Sequence, residues 1–312
     1  MIIFCGYANV DLTVGVPVLP GPGARVQATA VQRGEGGMAA NAAVAAARMG
    51  ADSRFAGVVG PDPLSTSFLQ TLAGDGVGTA WTGRTGALTT AVVLLTPDGE
   101  RSIISQDDQV TPEHVAGVVR TAREAGASLL YLDGYRFPEA AATLGDGLGN
   151  GGPRVVVDLD GCDGPEGMRA ALTAADHVIV GRAQAFDLLG DLDVLASAAV
   201  SHRVDMVVTD GPRGWTLLTS EGVRHDGRAI EVATVDATGA GDCFAGTYCA
   251  ELDRGSAPLE AARFASVAAG LSCTRPGARD GLPRREDVIA YIDSHPESHP
   301  GGVLARSRGE ET

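Results

Sequence analysis

The sequence predicts an α/β domain with a mainly parallel central sheet and a small β-sheet lid. Two observations lead there. Short apolar runs alternate with helix-period segments along most of the 312 residues, which is the signature of βαβ units. Two stretches, 12–33 and 89–105, interrupt that rhythm with strand-like runs bounded by turn residues. The length suggests one large α/β domain or two modest ones, enough to bury a substantial core.

The expected core strands are IIFCGY (2–7), SRFAGVV (53–59), SLLYLDG (128–134), RVVVDL (154–159), DHVIV (176–180) and DMVVTDG (205–211), with helices over 38–49, 64–73, 112–124 and 166–174. In the first irregular stretch Pro17, Pro20 and Pro22 precede ARVQATAVQR; the second, TTAVVLLTPDGERSIIS, reads as a hairpin turning at Pro97-Asp98-Gly99. A lid over a site at the strand ends, with segments about 12–33 and 85–107, is the economical reading, and an edge extension of the main sheet is the alternative. GLGNGG (147–152) matches GxGxxG, but it follows a helix-like segment and precedes a strand, the reverse of the dinucleotide fingerprint, so it reads as a loop. The tail from about 295 is rich in Pro, Gly, Ser and charge and is expected to be disordered.

The formal net charge is -15. A surface of that sign repels phosphate backbones, which argues against broad binding to nucleic acid or anionic membranes; a phosphate compound must be held locally. No run approaches the ~20 apolar residues of a membrane span. The start MIIFCGYANVDL lacks the basic, cleavable pattern of a secretory signal, so a cytoplasmic protein is expected. Cys5, Cys162, Cys243, Cys249 and Cys273 form no CxxC pair, which fits reduced, mostly buried thiols. All 24 basic residues are arginine. Without lysine there is no Walker A loop, pyridoxal enzyme or Schiff-base aldolase, each of which needs an amine. HExxH and GxSxG are also missing, which removes zinc proteases of that type and the nucleophile elbow.

The stretch ATVDATGAGDCFAG (233–246) concentrates the chemistry. Phe244, Tyr248 and Leu252 recur at four-residue spacing and Gly255 offers a stop, so a helix is expected to begin near GAGD. Glycines there let free N–H groups converge, and the helix dipole adds partial positive charge; the place attracts anions. Asp242 then has two readings. It is a capping carboxylate that satisfies the helix's first amides, or a general base that takes the proton of a hydroxyl attacking a phosphoryl group held at the same helix end.

DATGAGDCF (236–244) closely resembles the carboxy-terminal signature of the ribokinase-like sugar kinases, the PfkB family, and the resemblance extends over roughly residues 1–293, leaving 294–312 outside. It implies a three-layer α/β/α sandwich under a lid and an ATP-dependent sugar kinase. It also implies that Asp242 is the base and that the amides of Gly239, Ala240 and Gly241 form the anion hole. GYANVDL (6–12) resembles the family's first strand, whose polar residues, here Asn9 and Asp11, grip sugar hydroxyls; two apart, they share one face of an extended chain. GEGGMAANAAVAAARMG (34–50) resembles the amino-terminal signature and implies substrate contacts from Gly36, Gly37 and Asn41. VVTDGPRGWTLL (207–218) matches the nucleotide-side strand and turn, which implies Thr209, Gly211 and Gly214 near the ATP phosphates and ribose. RFASVAAGLSCTRPGARDGLP (263–283) resembles the helix and loop beside the adenine, a region that in many members also supplies carbonyls to a monovalent cation such as K⁺. Lids of this family often pair between subunits, which implies a homodimer.

The pattern departs at one place. Many members carry Asn-x-x-Glu after the strand equivalent to DHVIV, where it organises Mg²⁺ and phosphate; here GRAQ puts Gly181 and Gln184 at those positions. Mg²⁺ keeps several waters and can be held largely by ATP, so weaker metal affinity rather than lost activity is expected. Arg182 offers a phosphate contact or a solvated charge. A weakly catalytic sugar- or nucleotide-binding regulator is a second class of reading, disfavoured because base and anion hole are both intact. A nucleoside kinase of the same family is the runner-up enzyme, and an aromatic content of 4% speaks against it. For the sugar, Arg25 lies in the first lid segment, while Asp133 and Arg136 follow SLLYL. Asp133 suits hydroxyls, and two converging arginines suit a carboxylate, sulfonate or phosphate. Since 263–283 looks most like the ketohexose and sulfofructose kinase branch, a neutral or acidic ketose such as sulfofructose or ketodeoxygluconate is expected.

Overall fold

The structure, a computed structural model, describes residues 1–97, 101–105, 110–145, 147–149, 151–162 and 164–296, except the side chains of Arg101, Ile103, Arg136, Pro138 and Glu139. Asp98 and Gly99 of the expected hairpin turn, and the expected disordered tail from 297 onward, lie outside the described residues. Six parallel strands stand in the order β4 (Ser53–Phe55), β1 (Ile2–Cys5), β7 (Leu129–Asp133), β8 (Arg154–Asp158), β9 (His177–Gly181) and β10 (Asp205–Thr209). Two antiparallel strands, β11 (Trp215–Leu218) and β12 (Arg224–Gly227), continue the β10 edge.

Strands buried on both faces read as unbroken apolar runs, and here alternate residues feed two separate cores. Ile2, Phe4, Leu129, Tyr131, Val156, Ile179 and Val207 face the layer of α1 (Met38–Arg48), α2 (Pro63–Gly74), α8 (Ala240–Arg254), α9 (Pro258–Ser272) and α10 (Arg285–Ser294). Ile3, Cys5, Leu130, Leu132, Val155, Val157, Val178 and Val180 face α3 (Pro112–Glu124), α4 (Phe137–Leu144), α5 (Gly164–Ala174) and α7 (Leu192–His202). The result is a three-layer α/β/α sandwich. Asp62 and Thr111 cap α2 and α3 through their side chains, each ahead of a proline in the first turn.

The lid is a sheet of its own, not an edge extension. β2 (Asn9–Gly15), β3 (Ala30–Gly36), β5 (Thr89–Leu95) and β6 (Arg101–Ile104) pair in the order β3-β2-β5-β6. The register sets Asn9 opposite both Gly36 and Thr89. Asn9 and Asp11 therefore share a face, with Val10, Leu12 and Val14 on the other. Two boundaries differ from the sequence reading. Residues 6–12 do not belong to one strand: β1 stops at Cys5, and β2 opens the second sheet at Asn9, ahead of the expected lid boundary at 12. The cause is local. The Asp133 carboxylate accepts the Tyr7 amide at 2.5 Å and occupies the space a Cβ on Gly6 would need. β3 covers only Ala30–Gly36, because its partner β2 ends at Gly15, which pairs with Ala30.

α1 and α8 lie side by side against the sheet, and their approach is very close. A Cβ built on Gly246 would fall 2.1 Å from the Ala42 carbonyl oxygen. Gly246→Ala is expected to cost about 1–3 kcal/mol by overpacking, read from urea denaturation. Gly34→Ala, where a Cβ meets nothing within 4 Å, is expected to stay within about 0.5 kcal/mol of the parent.

Candidate active site

Gly239 begins α8 with φ 77°, a left-handed conformation, and a Cβ there would press on Ala278. The first amides of a helix have no intrahelical acceptor. Ala240 N–H turns back to the Ala237 carbonyl at 3.2 Å, whereas the amides of Gly239, Gly241 and Asp242 meet no protein acceptor among the described residues. Of the three amides expected to form the anion hole, Ala240's is engaged in the turn, whereas those of Gly239 and Gly241, and that of Asp242 as well, are open among the described residues. Asp236 braces this loop by accepting from Thr238 N at 2.9 Å and from Gly277 N at 2.8 Å.

The Asp242 side chain caps nothing. Its Oδ2 accepts from Asn41 Nδ2 at 2.8 Å, a contact made across the α1–α8 seam. Burial of the carboxyl pushes its pKa up to about 6; the Asn41 hydrogen bond and the Arg279 charge oppose the rise, while the Asp160 and Asp11 carboxylates add to it.

Sequence reasoning missed Arg279, which is 6% exposed. Its Nε donates to Asn41 Oδ1 at 2.8 Å, its Nη1 to Glu35 Oε2 at 2.8 Å and its Nη2 to the Gly36 carbonyl at 3.1 Å. The guanidinium stacks over the Phe68 ring, 4.8 Å from its centre. Nothing in the local string GARDG distinguishes this arginine from a solvated one. The nearest signal is its loop, which follows a fully patterned helix.

On the lid side, Asn9 is buried and donates Nδ2 to Asp11 Oδ1 at 2.6 Å, while its own Oδ1 has no hydrogen-bond partner among the described residues. A Cβ on Gly36 would fall 2.4 Å from Asp11 Oδ2 and 2.5 Å from Asn9 Oδ1, so only glycine leaves both oxygens open. Burial raises the Asp11 pKa, against the Asn9 hydrogen bond and the Arg279 charge. Gly37, at φ 98°, backs directly onto Tyr7 O and Ala8 Cα. Asp133 is buried with one oxygen on the Tyr7 amide. Tyr135 stacks on Tyr7 with ring centres 5.0 Å apart. Arg136 ends the short turn Gly134–Arg136, its side chain outside the described residues. Arg25 is exposed in the loop at the Gly15–Ala30 end of the hairpin, opposite the Asn9–Gly36 end. The structure thus brings Asn9, Asp11, Gly36, Asn41 and Asp242 into one network and leaves Arg25 outside it.

At the β10–β11 turn, Gly211 (φ 53°) and Gly214 (φ 104°) fold tightly, and a Cβ on Gly214 would strike the Gly227 carbonyl at 2.0 Å. Thr209 Oγ1 donates to Val180 O at 3.5 Å. Asp210 holds Arg213 at 2.6 Å and faces Arg182 at 3.7 Å. A cleft of about 230 Å³ runs along this turn, lined by Arg182, Arg213, Trp215 and Asp226 among others. A larger one of about 530 Å³ lies on the opposite helix layer, between Trp81 and α3, and shares no residue with the network. Gln184 donates to the carbonyls of Leu159 (2.8 Å) and Cys162 (2.9 Å), stapling the loop after β8. Among the described residues no group of three or more His, Cys, Asp or Glu could hold a metal. This donor set fits a divalent ion carried in by phosphates and water, not a protein cage.

An anion-attracting helix start beside an uncapped acid, faced by a polar lid edge, defines an enzyme that transfers phosphoryl groups to hydroxyls. The chain belongs to the pfkB family of carbohydrate kinases, whose pattern matches residues 1–285. It is 27% identical over 296 residues to a ribokinase of Bacillus subtilis, covering 91% of this chain and 96% of that one. It is 28% identical over 283 residues to a fructokinase of Klebsiella pneumoniae, covering 81% and 90%. The crystal structure of a ribokinase from Thermotoga maritima superposes with a TM-score of 0.78 at 25% identity, over 94% of this chain and 99% of that one. No helix among the described residues is long and apolar enough to cross a membrane.

The raised pKa carries a stability cost. A carboxyl at about 6 when folded and 3.8 when free binds more protons folded than unfolded between those values, so stability falls as pH rises through that window. Asp242→Asn, which can still accept from Asn41, is expected to gain on the order of 1–3 kcal/mol at pH ~8. Thermal melts compared at pH ~8 and pH ~4 should show the gain at the first and its disappearance at the second.

Proposed function

We propose that this carbohydrate kinase transfers the γ-phosphate of MgATP to a primary hydroxyl of a ketose, neutral or acidic, sulfofructose and ketodeoxygluconate among the candidates. One observation carries the mechanism: an uncapped, desolvated Asp242 with a pKa of about 6 beside three unengaged amides. Sugar hydroxyls donate to the orphan Asn9 Oδ1 and to Asp11, in the space that Gly36 leaves, with Gly37 and Asn41 behind. Asp242 takes the proton of the attacking hydroxyl, and the amides of Gly239, Gly241 and Asp242 receive the charge on the phosphoryl oxygens. Nucleotide phosphates and ribose run past Thr209, Gly211 and Gly214. Mg²⁺, when bound, neutralises phosphate charge. K⁺ binding by carbonyls of the loop after α9 is part of the same reading. The lid lowers water access, which protects ATP from hydrolysis.

Val31 (61% exposed) and Ile104 (64%) on the lid's outer strands support pairing of two lids into a homodimer. Cysteines that form no disulfide among the described residues support a cytoplasmic setting. A nucleoside acceptor is the second reading, favoured by the aromatic pair Tyr7–Tyr135, of which Tyr135 is half-exposed.

ADP release with Mg²⁺ and ATP across fructose, sulfofructose, ketodeoxygluconate, ribose and adenosine tests the assignment. A sugar-dependent rate is expected whose kcat/KM rises with pH through about 6 and which Asp242→Ala lowers by at least about 10³-fold. A flat panel with measurable sugar or ATP binding would favour the regulator. If the substrate is anionic, Arg136→Ala is expected to raise its KM about 10–100-fold while sparing neutral sugars. Unchanged values in both Arg136→Ala and Arg25→Ala would remove the anionic-sugar reading.

A further inference from the structure

We propose that Arg279 is a positioning residue: it fixes the Asn41 amide against Asp242 and ties that base to lid strand β3, so that the sugar-facing edge of the lid and the base assemble as one unit. This rests on the reading of Asp242 as the base.

The three guanidinium nitrogens go to three acceptors on two elements. Nε meets Asn41 on α1; Nη1 and Nη2 meet Glu35 and the Gly36 carbonyl on β3. Arginine has no acceptor, so the Asn41 atom facing it must be Oδ1, and the amide NH₂ is thereby turned towards Asp242. Released from Arg279, the amide is free to flip and set its oxygen against the carboxylate. The arginine is itself held. Arg48 Nη1 donates to the carbonyls of Arg279 and Leu282, both at 2.8 Å, and Arg48 is anchored on Asp75 at 2.8 Å. A buried guanidinium with every arm matched to a fixed acceptor sets orientation, which a compact ammonium cannot reproduce.

The charged and titratable groups around Asp242 come from several elements: Asp11 on β2, Arg279, Tyr131 within β7, Tyr135 just after it, and Asp158 and Asp160 at the end of β8. Among these groups Arg279 is the cation, so its removal moves the base towards higher pKa both directly and through the lost amide.

Sugar-dependent ADP release followed from pH ~5 to ~9 tests this in the full-length chain. In Arg279→Met the rising limb of kcat/KM is expected to move up by about one pH unit and kcat to fall about 10²-fold. The sugar KM rises while the ATP KM stays within about twofold. Arg279→Lys is expected to recover part of the limb shift but not the sugar KM, since it returns the charge without the fork. A limb that stays put in Arg279→Met overturns the proposal. So does an Arg279→Lys limb no better than that of Arg279→Met. ¹³C carboxyl NMR of Asp242 in the parent and in Arg279→Met reads the same shift without turnover. If no substrate is turned over, the kinase reading fails while the NMR still decides the role of Arg279. Should Arg279→Met not fold, Glu35→Ala loosens the lid arm alone; a raised sugar KM with the limb in place is expected, and an unchanged sugar KM overturns the coupling.

Discussion

Everything at the site depends on how closely α1 and α8 approach. Asn41 and Asp242 meet at 2.8 Å although 201 residues separate them, and that contact needs a seam with almost no side chain in it. Gly246 supplies the gap on α8, with the Ala42 carbonyl where a Cβ would stand. The alanines of MAANAAVAAAR, buried from Met38 to Ala46, supply it on α1. Alanine is the residue that allows close helix packing at no side-chain entropy cost. The alanine-rich composition of α1 is thus a statement about distance.

From that seam follows the apparent contradiction of an acid at an anion site. A carboxylate near free amides would ordinarily be drawn onto them as a cap. Here Asn41 holds it away, and the amides stay open. Burial and the neighbouring carboxylates then hold the acid near the pH at which a base works well. The Asn41 bond and the Arg279 charge restrain the shift, so the group is ionised at neutral pH yet still able to take a proton. Its cost in stability is the kind a functional site carries.

Much of this was legible in the sequence, for reasons that differ by residue. The parallel strands announced themselves because both faces are buried, and IIFC, LLYL and VVV leave little alternative. The helix after GAGD was legible from Phe244, Tyr248 and Leu252, all buried, and from Gly255, which does close the helix at φ 94°. Asn9 and Asp11 were found by motif, but the strand that carries them was not. Its separation from β1 is enforced by Asp133, more than a hundred residues away in the chain. Asn41 was expected at the substrate; its visible partner is Asp242. Arg279 and Gln184 were opaque because their partners are backbone carbonyls and distant side chains, which no local spacing encodes.

Arg279 also bears on how the two sheets work together. The chain passes from lid to core at Gly37, whose backbone sits against Tyr7 and Ala8, the place where it first left the core for the lid. These two of the chain's crossings between core and lid therefore lie at one edge. A rotation of the lid about this edge would carry Glu35 and Gly36 with it and leave Asn41 behind on α1. The guanidinium spans that line, with two arms on the lid side and one on the core side. Opening would have to break the Arg279–Glu35 ion pair, in which the guanidinium is buried and the carboxylate partly exposed, and leave the buried charge without its partner, which is unfavourable. Closing restores the pair and the amide orientation together. A base armed only in the closed arrangement is one way for a kinase to keep water from serving as the acceptor.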